Sequence, residues 1–311
     1  MKMDRNELMK RIGSIEQIGG VRDFTFNDGK AKGIRAIEVN TGVFCFTILV
    51  DRCLDIAQAF YKTTPIAWIS KTGITSPYLY EKDGLSWLRG FYGGLLTTCG
   101  LKNIGNDYKD QGLHGRIANI PAEKVSVSAE WVGDDYIMQV SGEMRESVVF
   151  GENLVLKRKI TAKMFDNKIY VEDTLVNEGF NTEDVALCYH CNFGYPLVSE
   201  NSIITNVPAD ISTMLPPMHN LPEECVGVEK TGGVETIGIE NGSIGAYITY
   251  NRDTLPDFLI WKKFAESDYV VGLEPRTTNY GGKDVDINNA YVKLPAFDEL
   301  KTDLVIEVKD L

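Results

Sequence analysis

The stretch KVSVSAEWV-GDD-YIMQV, residues 124–140, decides the fold class. Val125, Val127, Ala129 and Trp131 alternate with Ser126, Ser128 and Glu130. That period of two puts the apolar side chains on one face of an extended strand. Gly133-Asp134-Asp135 supplies turn chemistry, and Tyr136, Met138 and Val140 resume the alternation. Further along, Leu154, Leu156, Arg158, Ile160 and Ala162 share one face. Asp166-Asn167 interrupts, Ile169, Val171, Asp173 and Leu175 follow, and Asn177-Glu178-Gly179 interrupts again. The pattern is a meander of half-buried antiparallel strands.

The reading extends in both directions. Residues 34–40, 43–50, 203–207, 245–250, 258–262, 269–274 and 304–309 are predicted strands, many separated by turn signals such as Asn27-Asp28-Gly29 and Asn241-Gly242. A helix is expected over 4–12, with Asp4 as its cap and Leu8, Met9 and Ile12 on one face. No strand–helix–strand alternation occurs, which argues against a doubly wound parallel sheet. The proline-bearing stretch 208–227 is too ordinary in composition to mark a domain boundary. The simplest architecture is all-β: a large antiparallel sandwich of about 15–20 strands forming one domain over residues 1–311.

Composition narrows the partners. The 311 residues carry 32 basic and 44 acidic side chains, a net charge of −12. Nucleic-acid binders show a basic patch or stripe, and none is visible here. The same sign disfavours an anionic membrane surface and suits a neutral small molecule. No run of about 18 apolar residues is present. The charged N-terminus MKMDRNELMKRIG precedes no apolar signal core, so a cytoplasmic location is expected. Six cysteines in a chain of this length are expected to be reduced thiols.

The common phosphate, hydrolase and zinc-protease motifs are missing: there is no Walker loop, no GxSxG elbow, no HExxH and no dinucleotide fingerprint. Cys188-Tyr189-His190-Cys191 matches CxxC but lies in a strand-like run, where Cys188 and Cys191 face opposite sides. No second Cys or His pair completes a zinc site, so no metal is expected.

The chain has three histidines. His190 shares a strand face with Cys188 and Asn192, a polar face on an apolar strand that asks for a cavity or a ligand. The plainer alternative is a hydrogen-bonded core histidine. His114, flanked by Gly112 and Gly115, reads as a loop residue brought close to something, or as a turn cap. His219, after Pro216 and Pro217, reads as a surface residue. Glu274 ends an apolar strand just before Pro275, and a carboxylate there can serve as a general base or pair with Arg276 or Lys262.

Together, the segments DRCLDI (51–56), GGLLTTCGLKNIG (93–105), GLHGR (112–116), YHCNFGYPL (189–197) and GLEP (272–275) with Asn279 resemble the galactose-mutarotase-like (aldose 1-epimerase) superfamily. The similarity is greatest to its bacterial branch described as a domain of unknown function, and it spans most of the chain. The resemblance implies a β-supersandwich and interconversion of sugar anomers without metal or organic cofactor. It implies His190 as the acid at the ring oxygen, Glu274 as the base at the anomeric hydroxyl, and His114 as a substrate-positioning residue. The acid and base exchange roles when the ring closes. Arg52 and Asn103, in the shared motifs, and Arg116 and Trp261 are candidate sugar contacts. Arg52, Arg116, Lys262 and Arg276 would favour a phosphorylated sugar if they converged.

The chain also departs from well-studied mutarotases. His114-Gly115-Arg116 replaces their His-Gly-Gly, and their Asn-Arg pair ahead of the first histidine and an acidic substrate-binding motif are not evident. Two other readings follow: a non-catalytic carbohydrate-binding protein, and a sugar lyase or isomerase drawing on Tyr189, Tyr195 or Tyr280.

Overall fold

The meander read from residues 124–175 lies within the largest sheet of the computed structural model, which describes residues 4–106, 111–228, 232–278 and 291–311. Strands Glu123–Val132, Asp135–Ser147, Asn153–Lys163 and Lys168–Asn177 pair consecutively. Val132 faces Asp135 across a tight turn in which Gly133 takes a positive φ of 63°. Four further strands, Glu299–Asp310, Ile244–Asn251, Val234–Glu240 and Ile203–Thr205, extend this sheet to eight. Every ladder between two strands among the described residues is antiparallel, parallel pairing being confined to the isolated bridges Gly100–Gly115 and Met218–Ala265, and helices are short. The fold is thus the predominantly antiparallel β-architecture of a mutarotase-like sandwich.

A second sheet holds Gly20–Thr25, Arg35–Asn40, Phe44–Leu49, Asp55–Tyr61 and Thr64–Pro65. A third is ordered Glu224–Gly227, Asp257–Ala265, Asp268–Arg276, Glu183–Gly194 and Val292–Leu294. Strand Thr97–Leu101 also pairs with Glu183–Gly194, making that strand the spine of the third sheet. Its residues from Val185 to Gly194 are all buried. A strand covered on both faces needs a nearly continuous apolar run, and 185–194 supplies one. One contiguous apolar cluster draws on all three sheets, for example Phe46 and Ile48, Val140 and Leu156, Phe193 and Ile260.

Two charged residues sit in the apolar faces of the meander. Arg158 and Asp173 are cross-strand partners, bonded through Nη2 and Oδ2 at 2.6 Å. Arg158 also reaches Asp55 of the second sheet at 2.9 Å, and Tyr189 of the third sheet donates to Asp173 at 2.8 Å. All four side chains are buried. A buried cation is tolerable only when paired and hydrogen-bonded, and this one joins the three sheets.

The N-terminal helix is shorter than expected, Arg5–Met9, with Asp4 accepting from the Glu7 N–H as its cap. Leu8 and Ile12 are buried, whereas Met9 is exposed. Strand Asp268–Arg276 runs through Pro275 rather than ending at Glu274. Its ladder to the spine is interrupted between Cys188↔Arg276 and Cys191↔Leu273, where Pro275 has no N–H to donate.

Candidate active site

The register of the third sheet builds the site. Cys188 faces Arg276 and Cys191 faces Leu273, so by the same count His190 stands opposite Glu274. Asn192 faces Gly272, and Gly272 in turn faces Trp261 on strand Asp257–Ala265. On the other edge, His190 faces Thr97 and Cys188 faces Cys99. Alternate residues share a face, so Cys188, His190 and Asn192 line up beside Glu274 and Trp261.

His190 Nε2 lies 3.2 Å from Glu274 Oε1. Cys188 Sγ donates to the other carboxyl oxygen at 3.7 Å. Gly272 leaves the room for this pair. A Cβ there would come within 2.9 Å of Glu274 Oε1 and 3.2 Å of His190 Cε1. It also lets Trp261 lean toward His190, with ring centroids 5.2 Å apart. The Trp261 indole N–H is held by Glu223 at 2.9 Å.

His114 arrives from a loop. Its φ is +59°, an uncommon conformation for a non-glycine residue that often marks a functional constraint. Its Nδ1 is 2.8 Å from the Ile104 carbonyl, which fixes the ring and leaves Nε2 as the free nitrogen. The ring packs edge-on against Trp87 at 4.7 Å and His190 at 5.7 Å. Phe91 touches His190 at 5.3 Å and stacks on Trp87, and Trp68 meets Trp261 at 6.0 Å. Gly93 places Trp68: with φ of 79°, it has no Cβ to strike the Trp68 carbonyl, which would lie 2.5 Å away.

Burial governs the protonation of this group. It pulls His190 down to about 4, with the Asn192 side chain opposing, and pushes Glu274 up to about 7. His114 falls to about 4, through burial first and the neighbouring His190 second. Between those values the His190/Glu274 pair carries one proton. That is the number an acid–base pair needs, with one site to give and one to receive.

The structure brings together His114, His190, Glu274 and Trp261. It engages the other expected contacts elsewhere. Arg52 is only 1% exposed, and its guanidinium donates to the carbonyls of Ala118, Thr75 and Gly90. Those bonds occupy its donors, so we assign it to holding the loops, not to a sugar. Asn103 donates to the carbonyls of Gly105, Asn106 and Gly112, stitching the His114 loop to its neighbour. Arg116 donates to Gln111. Lys262 caps the Ile211 carbonyl, and Arg276 pairs with Asp257. His219 is exposed beside Glu266. Asn279 and Tyr280 lie outside the described residues.

Sequence reasoning did not single out Trp68, Trp87, Phe91 or Gly272. A signal existed for two of them. The chain has four tryptophans, and three of them, Trp68, Trp87 and Trp261, border this site. A survey of scarce residues limited to histidine overlooked that.

A buried His190–Glu274 contact walled by aromatic rings lies on an antiparallel supersandwich, and that fold is galactose-mutarotase-like. The chain belongs to the family described as Domain of unknown function (DUF4432), whose model matches residues 31–308. Among solved structures, it resembles a Klebsiella pneumoniae protein provisionally named an aldose 1-epimerase. The TM-score is 0.84 at 20% identity, over 93% of this chain and 83% of that one. A galactose mutarotase-like protein from Clostridium acetobutylicum matches with a TM-score of 0.62 at 13% identity, over 95% and 100% of the two chains. The galactose 1-epimerase of Lactobacillus acidophilus matches with a TM-score of 0.60 at 9% identity, over 94% and 99%. No curated protein matches the sequence. No helix among the described residues is long and apolar enough to cross a membrane.

Proposed function

We propose that the protein interconverts the anomers of a free, uncharged monosaccharide, using His190 and Glu274 as a cofactor-independent acid–base pair. The carrying observation is their contact at 3.2 Å, with burial driving their two proton affinities toward opposite sides of mild acid. Ring opening takes one proton from the anomeric hydroxyl and delivers one to the ring oxygen. The open chain rotates about C1–C2, and closure on the other carbonyl face reverses both transfers. His114 and the Trp261 ring would hold the sugar, the indole offering an apolar face to its C–H groups. The Arg52 guanidinium is taken up by carbonyls of the surrounding loops, which favours an uncharged substrate over a phosphorylated one.

The test is anomer exchange followed by NMR over a panel of free and phosphorylated aldoses and ketoses. Acceleration of at least one unphosphorylated sugar is expected, falling by about 10²–10⁴-fold in both His190→Ala and Glu274→Gln. Sugar-induced shifts without exchange would instead make the protein a carbohydrate-binding relative.

The same pair sets a pH profile. kcat/KM is expected to be bell-shaped, falling as the pH drops through the His190 value of about 4 and as it rises through the Glu274 value of about 7. Below the first the pair holds two protons, and above the second it holds none. A rate that kept climbing through neutrality toward alkaline pH would remove Glu274 from the pair.

A further inference from the structure

We infer that Glu146 is a positioning residue for the candidate site: its carboxyl group holds the Gly100–Leu101 peptide, and that peptide holds the loop of His114. This deepens the proposed function and rests on it for its catalytic meaning.

The inference starts from an acid in an apolar position. Along strand Asp135–Ser147 the residues Met138, Val140, Met144 and Glu146 fall on one face, and all four are buried. The first three belong to the common apolar cluster. Glu146 is only 3% exposed, and its cross-strand neighbour Leu154 is fully buried. Burial pushes the Glu146 carboxyl up to about 7, with the Leu101 N–H opposing. One oxygen, Oε1, is buried without a hydrogen-bond partner among the described residues. A carboxyl in such surroundings costs the fold free energy, so its presence asks for a use.

The other oxygen shows that use. Glu146 Oε2 accepts from the Leu101 N–H at 3.1 Å. The same peptide unit presents the Gly100 carbonyl, which accepts from the Arg116 N–H at 3.0 Å. The Gly100 N–H in turn donates to the His114 carbonyl at 3.1 Å. These two bonds bracket Gly115, which fits because it lacks a side chain: a Cβ there would lie 2.2 Å from the Gly100 oxygen. With so little slack, a turned Gly100–Leu101 peptide would displace Gly115 and His114 with it.

His114 needs such a clasp. A non-glycine residue at a φ of +59° persists only where its surroundings over-determine it. The His114 N–H donates to the Gly105 carbonyl at 2.9 Å, and the Tyr80 hydroxyl donates to the Gly115 carbonyl at 3.3 Å. The Gly100 bonds add the tie to the third sheet. Strand Thr97–Leu101 thereby spans the site, with Thr97 facing His190 at one end and Gly100 holding the His114 loop near the other. Glu146 fixes that second end from the large sheet.

Amide hydrogen exchange on the sugar-free protein tests the clasp. Glu146→Gln keeps an oxygen acceptor of the same reach, and Glu146→Met keeps the length without the oxygen. In Glu146→Met the Gly100 and Arg116 amides are expected to exchange at least about tenfold faster, while those of Val140 and Leu156 stay within about twofold of wild type. In Glu146→Gln all four should stay within about twofold. Unchanged loop amides in folded Glu146→Met, a uniform rise in all four, or a loosened loop in Glu146→Gln would each overturn the inference. If the methionine variant does not fold, Glu146→Asp, too short to reach Leu101, takes its place with the same expectation. Anomer exchange gives a second readout. A loosened His114 binds sugar less well while the His190–Glu274 contact stays, so in Glu146→Met KM should rise about tenfold with kcat within about threefold, and Glu146→Gln should restore KM. A fall in kcat at unchanged KM would place the effect on the acid–base pair and overturn the inference. If the wild type accelerates no sugar, the proposed function fails, and amide exchange still decides whether Glu146 holds the loop.

Discussion

Gly272→Ala is expected to leave the protein folded and to lower kcat for anomer exchange by about a hundredfold. The position is unusual in what surrounds it. The added methyl would meet Glu274 Oε1 at 2.9 Å, His190 Cε1 at 3.2 Å and Trp261 Cβ at 3.2 Å. Two of those neighbours are the proposed acid and base. Each is the far end of a side chain that can swing aside, so the fold can absorb the methyl while the pair cannot keep its contact. The backbone at Gly272 does not require glycine: it lies in strand Asp268–Arg276 and is absent from the residues with positive φ. Alanine in a strand interior even recovers some of the conformational entropy that glycine loses on folding. The melting temperature should therefore shift by only a few degrees, for a change of about 1 kcal/mol or less. Anomer exchange by NMR and a thermal melt on the same sample check both halves. Wild-type exchange in Gly272→Ala would mean that the His190–Glu274 contact is not what the reaction uses.

This glycine illustrates where sequence reading ends. The strands of residues 124–175 were legible because burial on one face writes a period of two into the residues themselves. The spine was legible as an apolar run, and His190 and Glu274 as polar residues where such runs rarely carry them. Gly272 lies in the quoted GLEP segment, but its own role was not legible there, because its importance comes from Asn192 and Trp261 on the two neighbouring strands. Trp87 and Phe91 come from a stretch without periodicity, and only tertiary contacts bring them to the histidines. Arg52 shows the converse limit. A polar residue in a shared motif suggests a ligand contact, but its direction is set by the carbonyls of loops far away in sequence. Arg158 and Asp173 fell on the apolar faces of adjacent strands in the sequence pattern. Their pairing follows from register, while the link to Asp55 crosses to another sheet.

That link carries the largest stability effect expected in the molecule. Arg158→Ala should cost about 3–5 kcal/mol, a large share of the roughly 5–15 kcal/mol that holds a typical domain together. The loss is not mainly the attraction itself, since a well-packed apolar replacement of a buried ion pair is often neutral. It comes from leaving the Asp55 and Asp173 carboxylates in a space where neither is exposed. Burial already pushes Asp55 up to about 6, with Arg158 opposing that rise. Without Arg158 its folded value should climb further above the unfolded one. A carboxyl raised in this way contributes stability that is present below its unfolded value and lost as the pH rises through its folded value. The variant should therefore be penalised least in mild acid and most above neutrality. Urea unfolding of wild type and Arg158→Ala at both ends of that range measures the difference. A loss below about 1 kcal/mol that ignored pH would show the network to be dispensable. The consequence would reach the candidate site, because Asp173 also accepts from Tyr189, the residue before His190. The side chains of Tyr189 and His190 leave the spine on opposite faces. Anchoring the first from below therefore holds the second in register with Glu274, and Arg158→Ala should weaken anomer exchange even where the protein remains folded.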